Sequence, residues 1–147
     1  MKAYVAGFAF SSNKRHVVLI TKNRPEWQAG NLNGVGGHIE ENEMPIDAMV
    51  REYLEETGVQ SASSDWKRFA VLCGPHFLLY FYAAFDDALV NNIETLTDEY
   101  VDVYSIETVL QQLNPYRRLI PNLTWLLPLA IDSQREGFNL SVNAEYL

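Results

Sequence analysis

Residues 37–59 read GHIEENEMPIDAMVREYLEETGV, and this stretch decides the fold. It places four glutamates, an arginine and two glycines in a fixed register: Gly37, Glu43, Arg51, Glu52, Glu55, Glu56 and Gly58. Carboxylate oxygens are the ligands that hard divalent cations prefer. The spacing therefore predicts several carboxylates gathered around one divalent metal site.

The second half of this stretch has the pattern of a helix. Pro45 suits a first helical turn, where its missing N–H is not needed, and Gly58 can end the helix. At 100° per residue one side of the helix is apolar, and it comprises Ile46, Met49, Val50, Tyr53 and Leu54. The other side carries the charges of Asp47, Arg51, Glu52, Glu55 and Glu56.

The acidic side of this helix has two interpretations. A run of charges is most often a solvated face. However, Glu52 lies one turn before Glu55 and Glu56, and three like charges so close repel each other unless a cation lies among them. Arg51 lies one turn before Glu55 and can orient it through a charge-assisted hydrogen bond. The register of the residues that precede the helix favours the metal site.

The whole stretch resembles the Nudix box, GX5EX7REUXEEXGU, in which U is a bulky aliphatic residue. The matching positions are Gly37, Glu43, Arg51, Glu52, Glu55, Glu56, Gly58 and Val59. The preceding residues 33–37, Asn-Gly-Val-Gly-Gly, are also similar to the family's approach to the box. Tyr53 is a departure, since an aliphatic residue is expected there. Because it belongs to the apolar side, we expect it to pack in the core if its hydroxyl finds a partner.

The resemblance and the order of the elements predict the same fold, an α/β protein with a Nudix-type α/β/α sandwich and a mixed central β-sheet. We expect residues 1–147 to form a single Nudix domain. The predicted strands cover 3–10, 16–22, 65–73, 76–85 and 99–105, residues 34–40 are predicted as a glycine-rich strand or turn, and loops are predicted at 23–32 and 86–98. Helices are predicted from 106 to 113 and from 118 to 132, the latter kinked or split by Pro128. Residues 138–146 are predicted as a last strand or an ordered tail.

The reaction implied by the resemblance is hydrolysis of a phosphoanhydride in a nucleoside diphosphate linked to another moiety X. A metal-activated water attacks one phosphorus, and Mg²⁺ or Mn²⁺ suits an all-oxygen site. The resemblance implies metal binding by Glu52, Glu55, Glu56 and the carbonyl of Gly37, with Arg51 as their orienting partner. One of these glutamates, or one outside the box, is the general base.

Further residues are candidates for supporting roles. Glu43 is expected to be a weaker metal ligand or a support for the ligands. Glu99, at the start of a predicted strand, can supply an extra carboxylate, as can Glu94 or Asp98, although a surface acid is the simpler interpretation of each. His38 follows Gly37 and can touch phosphate, whereas a solvent-facing strand residue is the simpler interpretation.

The substrate is less specified by the sequence. Asn33 precedes Gly34, which resembles MutT-type members of the family. In those members an asparagine near this point can recognise the edge of a purine base, because its amide donates and accepts hydrogen bonds at the same time. Pro75 lies where ADP-ribose hydrolases of the family often carry a proline. No separate dimerisation domain precedes the box, which favours a nucleoside triphosphate. ADP-ribose or a sugar nucleotide is the alternative. A non-catalytic nucleotide-binding module is disfavoured because degenerate boxes lose a glutamate or the arginine.

Composition limits the partners. The net charge of −8 argues against binding of a nucleic-acid polymer, which needs a basic surface. Cys73 is the only cysteine, so no intrachain disulfide can form, and no apolar run reaches the length of a membrane helix. We therefore expect a cytoplasmic enzyme, a monomer or a homodimer, that acts on a small-molecule nucleotide or nucleotide sugar without a membrane partner.

Overall fold

The computed structural model describes residues 1–111, 118–135 and 142–145. Its strands are β1 (Lys2–Phe10), β2 (His16–Thr21), β3 (Asn31–Asn33), β4 (Val35–His38), β5 (Lys67–Gly74), β6 (Phe77–Phe85), β7 (Val101–Ser105), β8 (Arg118–Leu119) and β9 (Val142–Glu145). Its helices are α1 (Pro45–Thr57), α2 (Asp87–Val90), α3 (Ile106–Leu110) and α4 (Leu123–Asp132). Single 3-10 turns lie at Glu26–Gln28 and Ser63–Asp65.

The strands form one mixed sheet around β1. The order is β8-β3-β2-β1-β6-β5-β9, with β4 also paired to β1 and β7 also paired to β2. The pairs β1–β6, β3–β8 and β5–β9 are parallel, and the other pairs are antiparallel. The predicted mixed central sheet is confirmed.

Both faces of the sheet are covered by helices. Successive side chains of a strand point to opposite faces. Along β1, Phe8 and Phe10 join the core cluster that contains residues of α3 and α4. Val5 and Ala9 join the second cluster, which contains residues of α1 and α2. The α/β/α sandwich is therefore confirmed.

Helix α1 is held against the sheet by its apolar side. Met49 and Tyr53 are fully buried, and the Tyr53 hydroxyl donates to the carbonyl of Leu89 at 2.6 Å. The expectation that this tyrosine packs in the core is confirmed. Gly58 ends the helix with φ 75°, the left-handed conformation that glycine adopts without cost. Leu54 differs from the prediction: it is 39% exposed because it lies at the edge of the apolar arc.

Several local predictions were wrong. Of the two effects predicted for Pro128, a kink or a split, the split is ruled out: helix α4 runs through the proline, and buried side chains on both sides of it, including Leu126 and Ala130, anchor the helix in the core. The predicted loop 23–32 contains a 3-10 turn and the start of β3, and the loop 86–98 contains α2. Residues 138–146 were predicted as a last strand or an ordered tail, and within this range residues 142–145 form strand β9. The other residues of the range lie outside the described residues. The same holds for residues 112–113 of the predicted helix 106–113. No helix in the described part of the chain is long and apolar enough to cross a membrane.

Candidate functional site

The site begins where α1 meets β4. Antiparallel pairing of β4 with β1 sets Gly37 opposite Val5, and α1 packs across this strand. A Cβ atom added to Gly37 would lie 2.6 Å from Oε1 of Glu52. A larger residue at this position would force the Glu52 carboxylate away from the β4 backbone. Glu52 is 8% exposed, so the helix presents this acid to the sheet and not to solvent.

Arg51 connects the acidic residues around Gly37. Its Nε and Nη2 donate to the two carboxylate oxygens of Glu43, at 2.7 and 2.9 Å. Nη1 donates to Glu52 at 2.8 Å and to Glu55 at 3.3 Å, and Nη2 also donates to the His38 carbonyl at 2.9 Å. The hydrogen bonding from Arg51 to Glu43 lowers the pKa of Glu43 and raises the pKa of Arg51. The arginine thus stays charged and holds the loop, the strand and the helix together.

The predicted partnership of Arg51 with Glu55 is present but is the longest of its carboxylate hydrogen bonds. Glu55 is exposed, whereas Glu43 and Glu52 are largely shielded from solvent. Both carboxylate oxygens of Glu43 accept hydrogen bonds from Arg51, and one of them also accepts a hydrogen bond from the N–H of Glu40. This geometry makes Glu43 an orienting partner of the arginine.

Glu56 faces a second group of residues from a loop that follows α2. The Thr97 hydroxyl donates to Glu56 Oε2 at 2.9 Å and accepts from the N–H of Glu99 at 3.2 Å. The Glu99 carboxylate is 5% exposed and accepts from Lys22 Nζ at 3.1 Å and from the N–H of Asn23 at 2.6 Å. The structure therefore brings Glu99 to the end of α1, next to Glu56.

Burial and like charges govern the acids of this site. Burial raises the pKa of Glu52, although the hydrogen bond from Arg51 opposes the shift. Burial also raises the pKa of Glu56, and the charges of Glu99 and Glu52 raise it further. Glu52 and Glu56 thus share an electrostatic environment in which negative charge is disfavoured, and the nearby carboxylate of Glu99 adds to it at Glu56. A divalent cation is the species that would relieve it.

The donor chemistry of the site fits Mg²⁺ or Mn²⁺. All the candidate ligands are oxygen atoms, and the carbonyl-bearing backbone of Gly37 lies directly against the Glu52 carboxylate. Among residues 1–111, 118–135 and 142–145, no three His, Cys, Asp or Glu side chains already converge as a metal cluster. Arg51, Thr97 and Lys22 instead occupy the carboxylate oxygens.

The two candidate substrate residues lie on either side of Gly37 along the chain. Asn33 Oδ1 accepts from the N–H of Gly34 at 2.8 Å, and its Nδ2 donates to Gln28 Oε1 at 3.2 Å. One N–H and one lone pair of this amide remain for a ligand. His38 is exposed, and its ring lies 4.4 Å from that of Tyr4.

The two acids offered as alternatives to Glu99 are placed differently. Asp98 is exposed and pairs with Arg24 at 3.4 Å, and the Glu94 N–H bonds to the Thr57 carbonyl at the end of α1. Sequence reasoning did not find Lys22 or Thr97. No short-range pattern could have indicated them, since Lys22 and Glu99 are 77 positions apart and meet only through the sheet.

Comparisons with known proteins agree on one family. Residues 1–123 match the NUDIX domain. A MutT structure from work on Aliivibrio salmonicida and Vibrio cholerae superposes with a TM-score of 0.68 at 20% identity, covering 88% of this chain and 97% of that one. MutT from Bacillus halodurans superposes at 0.67 with 16% identity, covering 99% and 90%.

A Nudix hydrolase from Nitrosomonas europaea is similar to a lesser degree. It superposes with a TM-score of 0.62 at 16% identity, covering 99% of this chain and 78% of that one. At these identities the superpositions establish a shared fold. No curated protein sequence matches the chain.

Proposed function

Because this chain belongs to the Nudix family of hydrolases, we propose that it is a metal-dependent pyrophosphohydrolase whose main substrate is a nucleoside triphosphate. Nudix hydrolases cleave phosphoanhydrides of nucleoside diphosphates linked to another group. The observation that carries the proposal is the group of shielded acids beside Gly37, in which Glu52 lies against the β4 backbone and Glu56 lies beside Glu99. An all-oxygen acidic site of this kind suits a hard cation bridging to a polyphosphate.

We propose that Glu52, Glu55, Glu56 and the Gly37 carbonyl hold Mg²⁺ or Mn²⁺, with Glu99 as an additional ligand. When bound, the metal activates a water and neutralises charge on the leaving phosphate oxygens. Arg51 orients the box by binding Glu43, Glu52 and Glu55 together. Glu55 is the most exposed of the ligands, so its carboxylate must turn inward to take part.

We propose that a proton of the attacking water passes to one of the box glutamates. Glu52 and Glu56 are the candidates because they are the less exposed glutamates of the charged side of α1, and the one that does not bind the metal would accept the proton. The near-complete burial of Glu52 also keeps bulk water from its carboxylate. His38 is exposed beside Gly37, where its ring can reach an outer phosphate.

A second substrate class has one observation in its favour. Pro75 lies in the turn between β5 and β6, and Phe77, two residues later, pairs with Lys2 at the start of β1. His38 and Gly37 pair with the same end of β1, opposite Tyr4 and Val5. The proline is therefore at the end of the sheet that carries the site, where it can limit a pocket for ADP-ribose or a sugar nucleotide.

A substrate panel tests the proposed function. Nucleoside triphosphates, ADP-ribose, sugar nucleotides and dinucleoside polyphosphates are assayed with Mg²⁺, and the products are resolved by chromatography. We expect a nucleoside monophosphate and pyrophosphate from a triphosphate, with a kcat/KM at least about tenfold above that for ADP-ribose, a difference of about 1.4 kcal/mol. A preference for ADP-ribose, with release of AMP, would instead support the second class.

Replacing Asn33 with alanine is expected to have two separable effects. Loss of the hydrogen bonds to Gly34 and Gln28 should lower the free energy of unfolding by about 1 kcal/mol, measured by denaturant melts. If the remaining amide N–H and lone pair bind the base of the nucleotide, kcat/KM for the preferred nucleotide should also fall, by an amount equivalent to about 1–3 kcal/mol. The fall should be smaller for nucleotides with other bases. Equal losses for all bases would leave Asn33 with only its role in the turn.

We also propose that residues 1–147 act as one Nudix domain, that the enzyme works in the cytoplasm, and that it is a monomer or homodimer. Beyond residue 123, α4 contributes Leu126, Leu127 and Ala130 to the same core, and β9 extends the same sheet through β5. These contacts support one cooperative unit.

A further inference from the structure

Lys22 belongs to this site although it precedes the Nudix box by 15 residues and lies on the opposite side of the box from Glu99 in the sequence. It follows β2, and its ammonium lies 3.1 Å from Oε1 of Glu99. Both side chains are largely shielded, with 19% and 6% of their surfaces exposed. A shielded ion pair has to overcome the cost of removing both charges from water, and removing one partner leaves the other charge uncompensated.

The pair is built into the junction of two loops with α1. The N–H of Asn23 donates to the second oxygen of Glu99, so the carboxylate is held from both sides. Thr97 connects the same loop to Glu56, and the Glu94 N–H bonds to the carbonyl of Thr57. Lys22, Glu99 and Glu56 therefore form a contiguous group at the end of α1.

This group contains more negative than positive charges. The charges of Glu52 and Glu99 both act on Glu56, so three carboxylates meet here. Arg51 cannot balance them all, because it pairs with Glu43, Glu52 and Glu55. Lys22 is the cation that acts on both Glu56 and Glu99. Its ammonium thus supplies the positive charge that a divalent ion at these two carboxylates would supply.

We propose that Lys22 is the resident counter-ion of the metal site: it neutralises Glu99 in the metal-free protein and competes with the divalent cation for that carboxylate. This inference rests on the proposed metal site. Two cations cannot share one carboxylate oxygen without repulsion, so metal binding displaces the ammonium. Lys22 is accordingly a positioning residue that weakens metal affinity, which lets the ion enter and leave with its nucleotide.

The test measures Mn²⁺ binding to the protein without substrate, by electron paramagnetic resonance titration, together with melting curves. Lys22→Gln keeps a hydrogen-bond donor for Glu99 but removes the charge. We expect its Kd for Mn²⁺ to fall about tenfold, because a repelling charge a few ångströms away is removed. We also expect its melting temperature to be lower than that of the wild type without metal and equal to it with saturating Mn²⁺.

Two variants serve as controls. Lys22→Arg retains the charge, so its Mn²⁺ affinity should stay within about twofold of the wild type. Arg24→Gln removes a positive charge from the same loop, where Arg24 pairs with Asp98 at 3.4 Å. Because the Arg24 side chain is 73% exposed, solvent screens it, and its loss should change the Mn²⁺ affinity by less than about twofold.

A double variant keeps the test decisive if Lys22→Gln alone does not fold. Lys22→Gln combined with Glu99→Gln removes both charges of the pair, so no uncompensated carboxylate remains. If Lys22 acts mainly through its ion-pair partner Glu99 and only weakly through Glu56, the double variant should bind Mn²⁺ with a Kd within about twofold of that of Glu99→Gln. A double variant that still binds about tenfold more tightly than Glu99→Gln would overturn the inference, since the effect would be a general one of charge.

The remaining outcomes separate this inference from the proposed function. An unchanged or weaker Mn²⁺ affinity in Lys22→Gln, with the same loss of melting temperature with and without Mn²⁺, would make Lys22 a structural residue only. In that case a wild type that binds Mn²⁺ and hydrolyses nucleotides retains the proposed function. A wild type that binds no Mn²⁺ would overturn both.

Discussion

Replacing Glu56 with glutamine is expected to lower kcat by at least about 100-fold, the typical cost of removing a main electrostatic element of an active site. Glutamine keeps the size of the side chain but removes the charge that would bind the cation. Glu56 also lies between two sets of residues, with Glu52 on its own helix and Glu99 on the loop. Its loss should therefore weaken metal binding and the positioning of the water together.

The fold of this variant should survive. Burial and the charges of Glu99 and Glu52 already raise the pKa of Glu56, so the folded protein tolerates a neutral group at this position. The glutamine can still accept the hydrogen bond from Thr97. Glu41→Gln is the matched control, since Glu41 is an exposed glutamate just before α1. Steady-state kinetics and a melting curve are measured for both variants.

A Glu56→Gln variant with kcat within about threefold of the wild type would contradict the assignment, because removal of a main electrostatic element costs far more. The essential carboxylate would then be Glu52, Glu55 or Glu99. A large loss of melting temperature in Glu56→Gln would show instead that the charge supports the fold.

Removal of divalent metal is expected to abolish hydrolysis, and added Mg²⁺ or Mn²⁺ should restore it. Without a cation, Glu52, Glu56 and Glu99 repel the polyphosphate of the substrate, and no group among them lowers the pKa of a water molecule. The measurement compares turnover after EDTA treatment, after removal of EDTA and after metal addition. Ca²⁺ provides a control for charge alone, because its longer bonds and flexible geometry differ from those of Mg²⁺.

Undiminished turnover in a metal-free preparation would contradict the metal mechanism. A second readout does not depend on catalysis: Mg²⁺ or Mn²⁺ should raise the melting temperature, since a ligand that binds only the folded state stabilises it. A metal-dependent rise in melting temperature without hydrolysis would support the metal site. It would indicate that the proposed substrate class is wrong.

Helix α1 and the fold class were predictable from the order of the residues alone. The 100° periodicity, Pro45 at the start and Gly58 at the end are local signals, and they predicted the bounds of α1 and the buried position of Tyr53. The same register predicted that Gly37 and Glu52 would lie close together, and the structure places the Glu52 carboxylate against the Gly37 backbone. Local signals succeeded here because the relevant residues are separated by a few helical turns and one loop.

The pairing of the acids became visible only in the folded protein. Arg51 was expected to orient Glu55, but its shorter carboxylate contacts are to Glu43 and Glu52, since Glu43 folds back from the loop and Glu52 turns toward Gly37. The helical pattern placed Glu52 on the charged side. It did not predict that β4 would cover that side and bury the carboxylate.

The partnership of Lys22 with Glu99 also depended on the tertiary structure. The two residues lie at the ends of neighbouring strands, because β2 pairs with β7 in antiparallel register, from His16 opposite Ser105 to Ile20 opposite Val101. Sequence periodicity reports which face of an element is apolar, but it carries no information about which distant element lies beside it. That choice follows from packing the whole sheet between two layers of helices, and it set the charge balance of the site.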